Sequence, residues 1–261
     1  MNRKYMHMFL AGMLMLALMA AVPFPALAVL TVKANHDQID INYNYHGSTV
    51  SVNGISDPES DIVIKISSED SEQKLMRKDK RAGLLWMNVE ALHFSHIPNV
   101  YLLKSTRPLD QILNKEQELS HSIGYEALGA NAKIIPDRGA EQRESWFGQF
   151  VQYKESNHLF KQMTGGIEVK ADSPEQTYSA VFEWPFEAPP GKYDVEVLEV
   201  KNGSVVESRH STVDVEQIGA VKMLANMAKT KGALYGVLSI LIALAAGFGV
   251  GAVFGKGGGA H

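Results

Sequence analysis

The chain has 261 residues, no cysteine and a formal charge of −4, so disulfides, a thiolate nucleophile and a Cys-ligated metal are excluded. Between residues 29 and 221, 19 basic residues face all 29 acidic ones, a net of −10, which argues against nucleic acid as a partner. A body of about 190 residues is long enough to bury a core without covalent staples.

In chain order, residues 1–28 read as a secretory signal peptide. Arg3 and Lys4 supply the positive start, residues 9–22 form a 14-residue apolar run, and Ala26-Leu27-Ala28 makes a small-x-small cleavage site after Pro23 and Pro25. The run is shorter than the roughly 20 residues of a bilayer span. An exported chain without disulfides suits a bacterial periplasm.

Residues 30–67 are patterned as strands. Ile39, Ile41, Tyr43 and Tyr45 alternate with polar residues, as do Val50 and Val52, and Ile62, Ile64 and Ile66 share one face. His46-Gly47-Ser48, Asn53-Gly54 and Ser56-Asp57-Pro58 read as the turns between them. Next comes the only dense basic run of the acidic body, Arg77, Lys78, Lys80 and Arg81 around Asp79. It reads as a solvated hairpin tip; as a candidate anion or partner contact it would be joined by Arg107, because guanidinium forks suit oxyanions.

Residues 83–109 (GLLWMNVEALHFSHIPNVYLLKSTRPL) form a junction between β and helical regions. Trp86 falls in a strand pattern and reads as a core aromatic. His93 and His96, with Glu90 ahead of them, are candidate metal ligands only if the segment is helical; Pro98 and the strand-like flanks favour an ordinary loop over residues 89–101 instead.

A helical insertion is expected over about 108–163. Pro108 suits a first turn, Leu109, Ile112, Leu113, Leu119 and Ile123 recur at helix spacing, and Trp146, Phe147, Phe150 and Val151 do so in a second segment. Strands return with Tyr178, Ala180 and Phe182, a Pro189-Pro190-Gly191 turn, the alternating Tyr193, Val195 and Val197, and Asn202-Gly203, a two-residue hairpin signal. The pattern predicts a mainly β fold: an immunoglobulin-like β-sandwich interrupted by helices, with two small β domains as the alternative.

After a basic juxtamembrane linker at 222–232, residues 233–254 are 22 uncharged residues, which as a helix reach about 33 Å and can cross a bilayer. Residues 255–261 would then form a short cytoplasmic tail. Lys222, Lys229 and Lys231 outweigh Lys256 and favour the opposite orientation; the signal peptide is given precedence, and these lysines can touch anionic headgroups of the lipid bilayer. Ala243, Gly247, Gly251 and Gly255 fall four apart, a small-residue ridge for helix packing that would serve a homo-oligomer or a multi-pass partner.

Five features in order carry a resemblance: the signal peptide, Gly83-x-x-Trp86-x-Asn88, Pro98-x-x-Tyr101 followed by Ser105 to Leu109, the Pro189-Pro190-Gly191-x-Tyr193 turn, and Leu234-Tyr235-Gly236. Together they are similar to a family of transmembrane proteins described from alphaproteobacteria. The resemblance implies a periplasmic domain on one inner-membrane helix and an accessory role beside a permease of the sulfite exporter type. It brings no catalytic residues. Leu84-Leu85 ahead of Trp86 and a Gly-rich rather than basic tail depart from the family pattern.

Hydrolase, P-loop and dinucleotide signatures are missing from the sequence. The reading is a non-enzymatic, cofactor-free periplasmic interaction module working with an integral membrane permease; the alternative is a small-anion or metal-binding protein that delivers its ligand to such a transporter.

Overall fold

Alternating β-branched and aromatic residues build most of the chain into sheets. A computed structural model describes residues 29–254 except 36, 37, 82 and 173, and the proposed signal peptide, Gly255 and the tail lie outside the described residues. Within them the fold is mainly β. One sheet joins β1 (Lys33–Ala34), β3 (Ser48–Ser56), β11 (Glu175–Trp184) and β10 (Ile167–Asp172) in that spatial order. A second joins β2 (Gln38–Ile41), β13 (Ser204–Gln217), β12 (Gly191–Lys201), β4 (Asp61–Ser68), β7 (Tyr101–Ser105) and β9 (Phe160–Thr164).

The two sheets share one core. Ile62, Ile64, Ile66, Val195 and Val197 of the six-stranded sheet cluster with Val50, Val52, Ala180 and Phe182 of the four-stranded one, and Trp184 meets Tyr193 edge-on at 4.7 Å between ring centroids. In β12 the intervening residues are buried too, including Glu196 and Leu198, because helices cover the other face. There Lys65 Nζ lies 2.6 Å from Glu196 Oε2 and donates to the carbonyl of His121.

Those helices are α1 (Leu109–Ile112), α2 (Lys115–Ser120), α3 (Gly124–Asn131) and α4 (Ala140–Ser156). The apolar spacing over 109–123 does not produce one helix. Leu113 is extended at φ −127° and ψ 146°, and the Asn114 side chain accepts from the Gln117 N–H to start α2, an N-cap that satisfies a backbone donor otherwise left without an intrahelical partner. On α4, Trp146, Phe150, Val151 and Lys154 are buried, and Phe150 stacks on Phe94 at 4.4 Å. The 108–163 stretch also holds β9 and a short strand, β8 (Lys133–Ile135), that helical periodicity did not announce.

The same Asn-Gly pair has two fates. Asn202 and Gly203 adopt φ 51° and 83° and close the β12–β13 hairpin, a conformation glycine accepts freely. Asn53-Gly54, read as a turn, lies inside β3. A Cβ on Gly54 would sit 1.9 Å from the carbonyl oxygen of Thr31, so this glycine serves close backbone approach rather than a reversal.

Two further expectations are corrected. Residues 89–101 are not a loop: β6 (Leu85–Pro98) runs through them and pairs with β5 (Asp70–Arg81). Trp86 is not a core residue but 66% exposed, because β6 lies in a separate three-stranded sheet of order β5-β6-β8, and this part of it, paired with β5 alone, has no core for its alternation to face.

After β13, helices α5 (Gly219–Thr230) and α6 (Gly232–Phe254) follow with only Lys231 between them. Among the described residues, nothing buries the most apolar window of α6.

Candidate interaction surface: the β-ribbon and the apolar helix

Strands β4 to β7 form one long ladder. β4 pairs with β7, β5 with β6, and only Glu69 on one side and Asn99 and Val100 on the other interrupt them. Ser68 stitches the junction: its Oγ accepts from the Asn99 N–H at 2.7 Å and the Val100 N–H at 3.3 Å. The β5–β6 half therefore projects from the end of the six-stranded sheet, and β8 supports it only across His93, Phe94 and Ser95.

The basic run ends this ribbon. Arg77 Nε lies 3.6 Å from Glu90 Oε2 across the ladder, and Arg138 reaches the other oxygen of Glu90 at 2.5 Å; Lys78, Lys80 and Arg81 are exposed. Lys80 Nζ stands 5.2 Å from the centre of the Trp86 ring, a cation–π distance. Beside them Leu84, Leu85, Trp86 and Met87 are 84%, 67%, 66% and 52% exposed. Reading Trp86 as core concealed this cluster; the signal that could have found it is a run of four large apolar residues directly after a charged segment and Gly83.

Arg107 is not part of the tip. It follows β7 at the opposite end of β4, donating from Nε to Asp61 Oδ1 at 2.8 Å and from Nη2 to Asp61 Oδ2. That guanidinium, with Thr106 donating to the same carboxylate, holds Asp61 below the usual carboxylate range. The histidines have separate surroundings. His93 Nδ1 is 3.2 Å from Glu72 Oε1, whereas His96 is exposed at φ 58°, in the segment where β6 carries one residue more than β5 between paired positions, a β-bulge. Among the described residues no group of three or more His, Asp or Glu side chains is arranged to hold a metal.

A cleft of about 750 Å³ lies between α3 and α4. Its arginine, Arg143, is already used: Nη2 donates to the carbonyls of Gly129, Ala130 and Ala132, oxygens left open where α3 ends. Ala243, Gly247 and Gly251 are exposed along α6, and a Cβ on either glycine would meet nothing within 4 Å.

A family model described as "Putative transmembrane protein (Alph_Pro_TM)" matches residues 29–256. The chain belongs to this family. No curated protein matches the sequence. Membership of this transmembrane family agrees with α6, whose residues Gly232–Ala252 are long and apolar enough to cross a bilayer. The match takes in both the sheets and the apolar helix, so the ribbon and the membrane-length segment are parts of one family unit.

Proposed function

We propose that the chain is a non-enzymatic interaction module of the bacterial inner membrane, held by one crossing of α6, with its body in the periplasm and a multi-pass transporter as its working partner. The observation that carries the reading is the apolar α6, which none of the described residues covers and which follows a body with a projecting ribbon. Residues 1–28 fit a signal peptide by composition, and this supports export of the body. The partner class, a permease of the sulfite exporter type, comes from the family resemblance.

We read the body as an immunoglobulin-like sandwich. Supporting this are the core shared by the two sheets and a hydrogen bond from the Tyr193 hydroxyl back to the Pro189 carbonyl at 2.5 Å, the geometry of a tyrosine corner. Two parallel pairings, β2 with β13 and β7 with β9, extend the sheet beyond that plan.

The test is affinity purification of the full chain from mild detergent, compared with a Gly247→Ile/Gly251→Ile variant. A multi-pass permease that accompanies the wild type and is lost from the variant is the expected result; wild-type eluates free of integral membrane proteins reject the reading. Protease added to intact spheroplasts should digest the body, and a protected body reverses the orientation.

A further inference from the structure

The tip of the ribbon is apolar on both faces. In the register of β5 with β6, Lys80 stands opposite Trp86, Arg81 opposite Leu85 and Asp79 opposite Met87. Side chains alternate along a strand, so Trp86 and Lys80 occupy one face while Leu85, Met87, Arg81 and Asp79 occupy the other, with Asp79 Oδ2 3.6 Å from Arg77 Nη1. Apolar side chains on both faces suit an environment that accepts them from every direction, as lipid does.

The ribbon also leaves the body on the membrane side. Tyr193 in β12 is paired with Ser68, where β4 gives way to β5, and with Val213, shortly before β13 gives way to α5 and α6. Both exits lie at the same end of the six-stranded sheet. A 12-residue strand such as β5 extends roughly 40 Å, whereas the 12 residues of α5 span about 18 Å, so the tip can reach the surface from which α6 emerges. Charge agrees, since cations concentrate at this tip while the body carries a net −10.

The geometry points to a second membrane contact: residues 84–87 enter the interfacial zone of the leaflet facing the body, and Lys78, Lys80 and Arg81 lie at the phosphates of anionic phospholipid. Tryptophan favours that zone, and long basic side chains can bury their stems while keeping the charge at the headgroups. The inference rests on the reading of α6 as a membrane span. It makes the body a two-point attachment, with the ribbon setting its tilt above the bilayer.

Tryptophan fluorescence tests it. Of the three tryptophans, Trp146 and Trp184 are buried and Trp86 is exposed, so quenchers carried on lipid chains report on Trp86. The full chain is reconstituted in phosphatidylcholine vesicles containing phosphatidylglycerol and acyl-brominated phosphatidylcholine. Wild-type emission should be quenched, Trp86→Phe should lose that quenching, and reversal of Lys78, Lys80 and Arg81 to Glu should reduce it several-fold. Equal emission from wild type and Trp86→Phe with and without bromine overturns the contact. So does a Trp86 that stays in water in vesicles and is shielded only when a co-purifying membrane protein is added. Release of the full chain by an alkaline carbonate wash would instead show failure of the anchoring reading.

Discussion

The ammonium of Lys154, on α4, donates to the backbone carbonyl of Asn99 at 3.0 Å and also to its side-chain oxygen, tying the helical insertion to the root of the ribbon. The lysine is 2% exposed and stands 5.5 and 5.7 Å from the ring centres of Phe150 and Phe160. Burial lowers its pKa from 10.5 to about 8, because desolvation disfavours the charged form. Below about pH 8 the group is protonated in both folded and unfolded chains; between about 8 and 10.5 the unfolded chain keeps a proton that the fold has released, so stability rises with pH in that window. Relative to Lys154→Met, the wild type should gain on the order of 3 kcal/mol across it, read from denaturant unfolding at stepped pH. Parallel curves would show that Lys154 titrates as an ordinary lysine.

Gly54→Ala should be costly. Its Cβ would collide with the Thr31 backbone and approach the Tyr178 hydroxyl to 2.5 Å, and backbone cannot move aside as a flexible side chain can. A loss of about 1–3 kcal/mol is expected, typical of overpacking. Gly148→Ala, at an exposed position of α4 with nothing within 4 Å of the new atom, should stabilise by about 0.5–1 kcal/mol through helix propensity. Thermal unfolding of the two variants in detergent should move the midpoint in opposite directions.

Tyr193→Phe keeps the ring against Trp184 and removes only the hydroxyl that donates to Pro189. Its cost should be about 0.5–1.5 kcal/mol, that of one hydrogen bond. Phe150→Ala, which empties the space between Phe94 and Phe160, should cost about 3–5 kcal/mol. Comparable losses from the two would mean that the turn, rather than the aromatic cluster, limits stability.

A chain ending at Thr230 retains α5 and lacks α6. Alkaline carbonate should extract it from membranes while the full chain stays in the pellet, since an apolar span is effectively permanent and an interfacial helix is not.

Where one side of a strand meets a core, the pattern of residues is readable in advance. Ile62, Ile64 and Ile66 do share the face covered by the opposite sheet, and Tyr178, Ala180 and Phe182 are buried in alternation. The apolar length of α6 was equally plain. Trp86 misled because its alternation resembles that of a buried strand; periodicity reports which residues share a face, not whether anything covers it. For the same reason the basic run was visible while its apolar companions were taken for core.

Local composition by itself determined the mainly β character, the Asn202-Gly203 hairpin and the membrane-length helix, since each depends on residues near one another in the chain and on backbone preferences they carry anywhere. Only the tertiary structure decided that Asn53-Gly54 continues a strand, that Arg107 belongs to Asp61, and that the ribbon and α6 leave the body at one end. These outcomes depend on which distant backbone approaches, as Thr31 does at Gly54, and on the register of β12 with both of its neighbours, and no neighbouring residue encodes either.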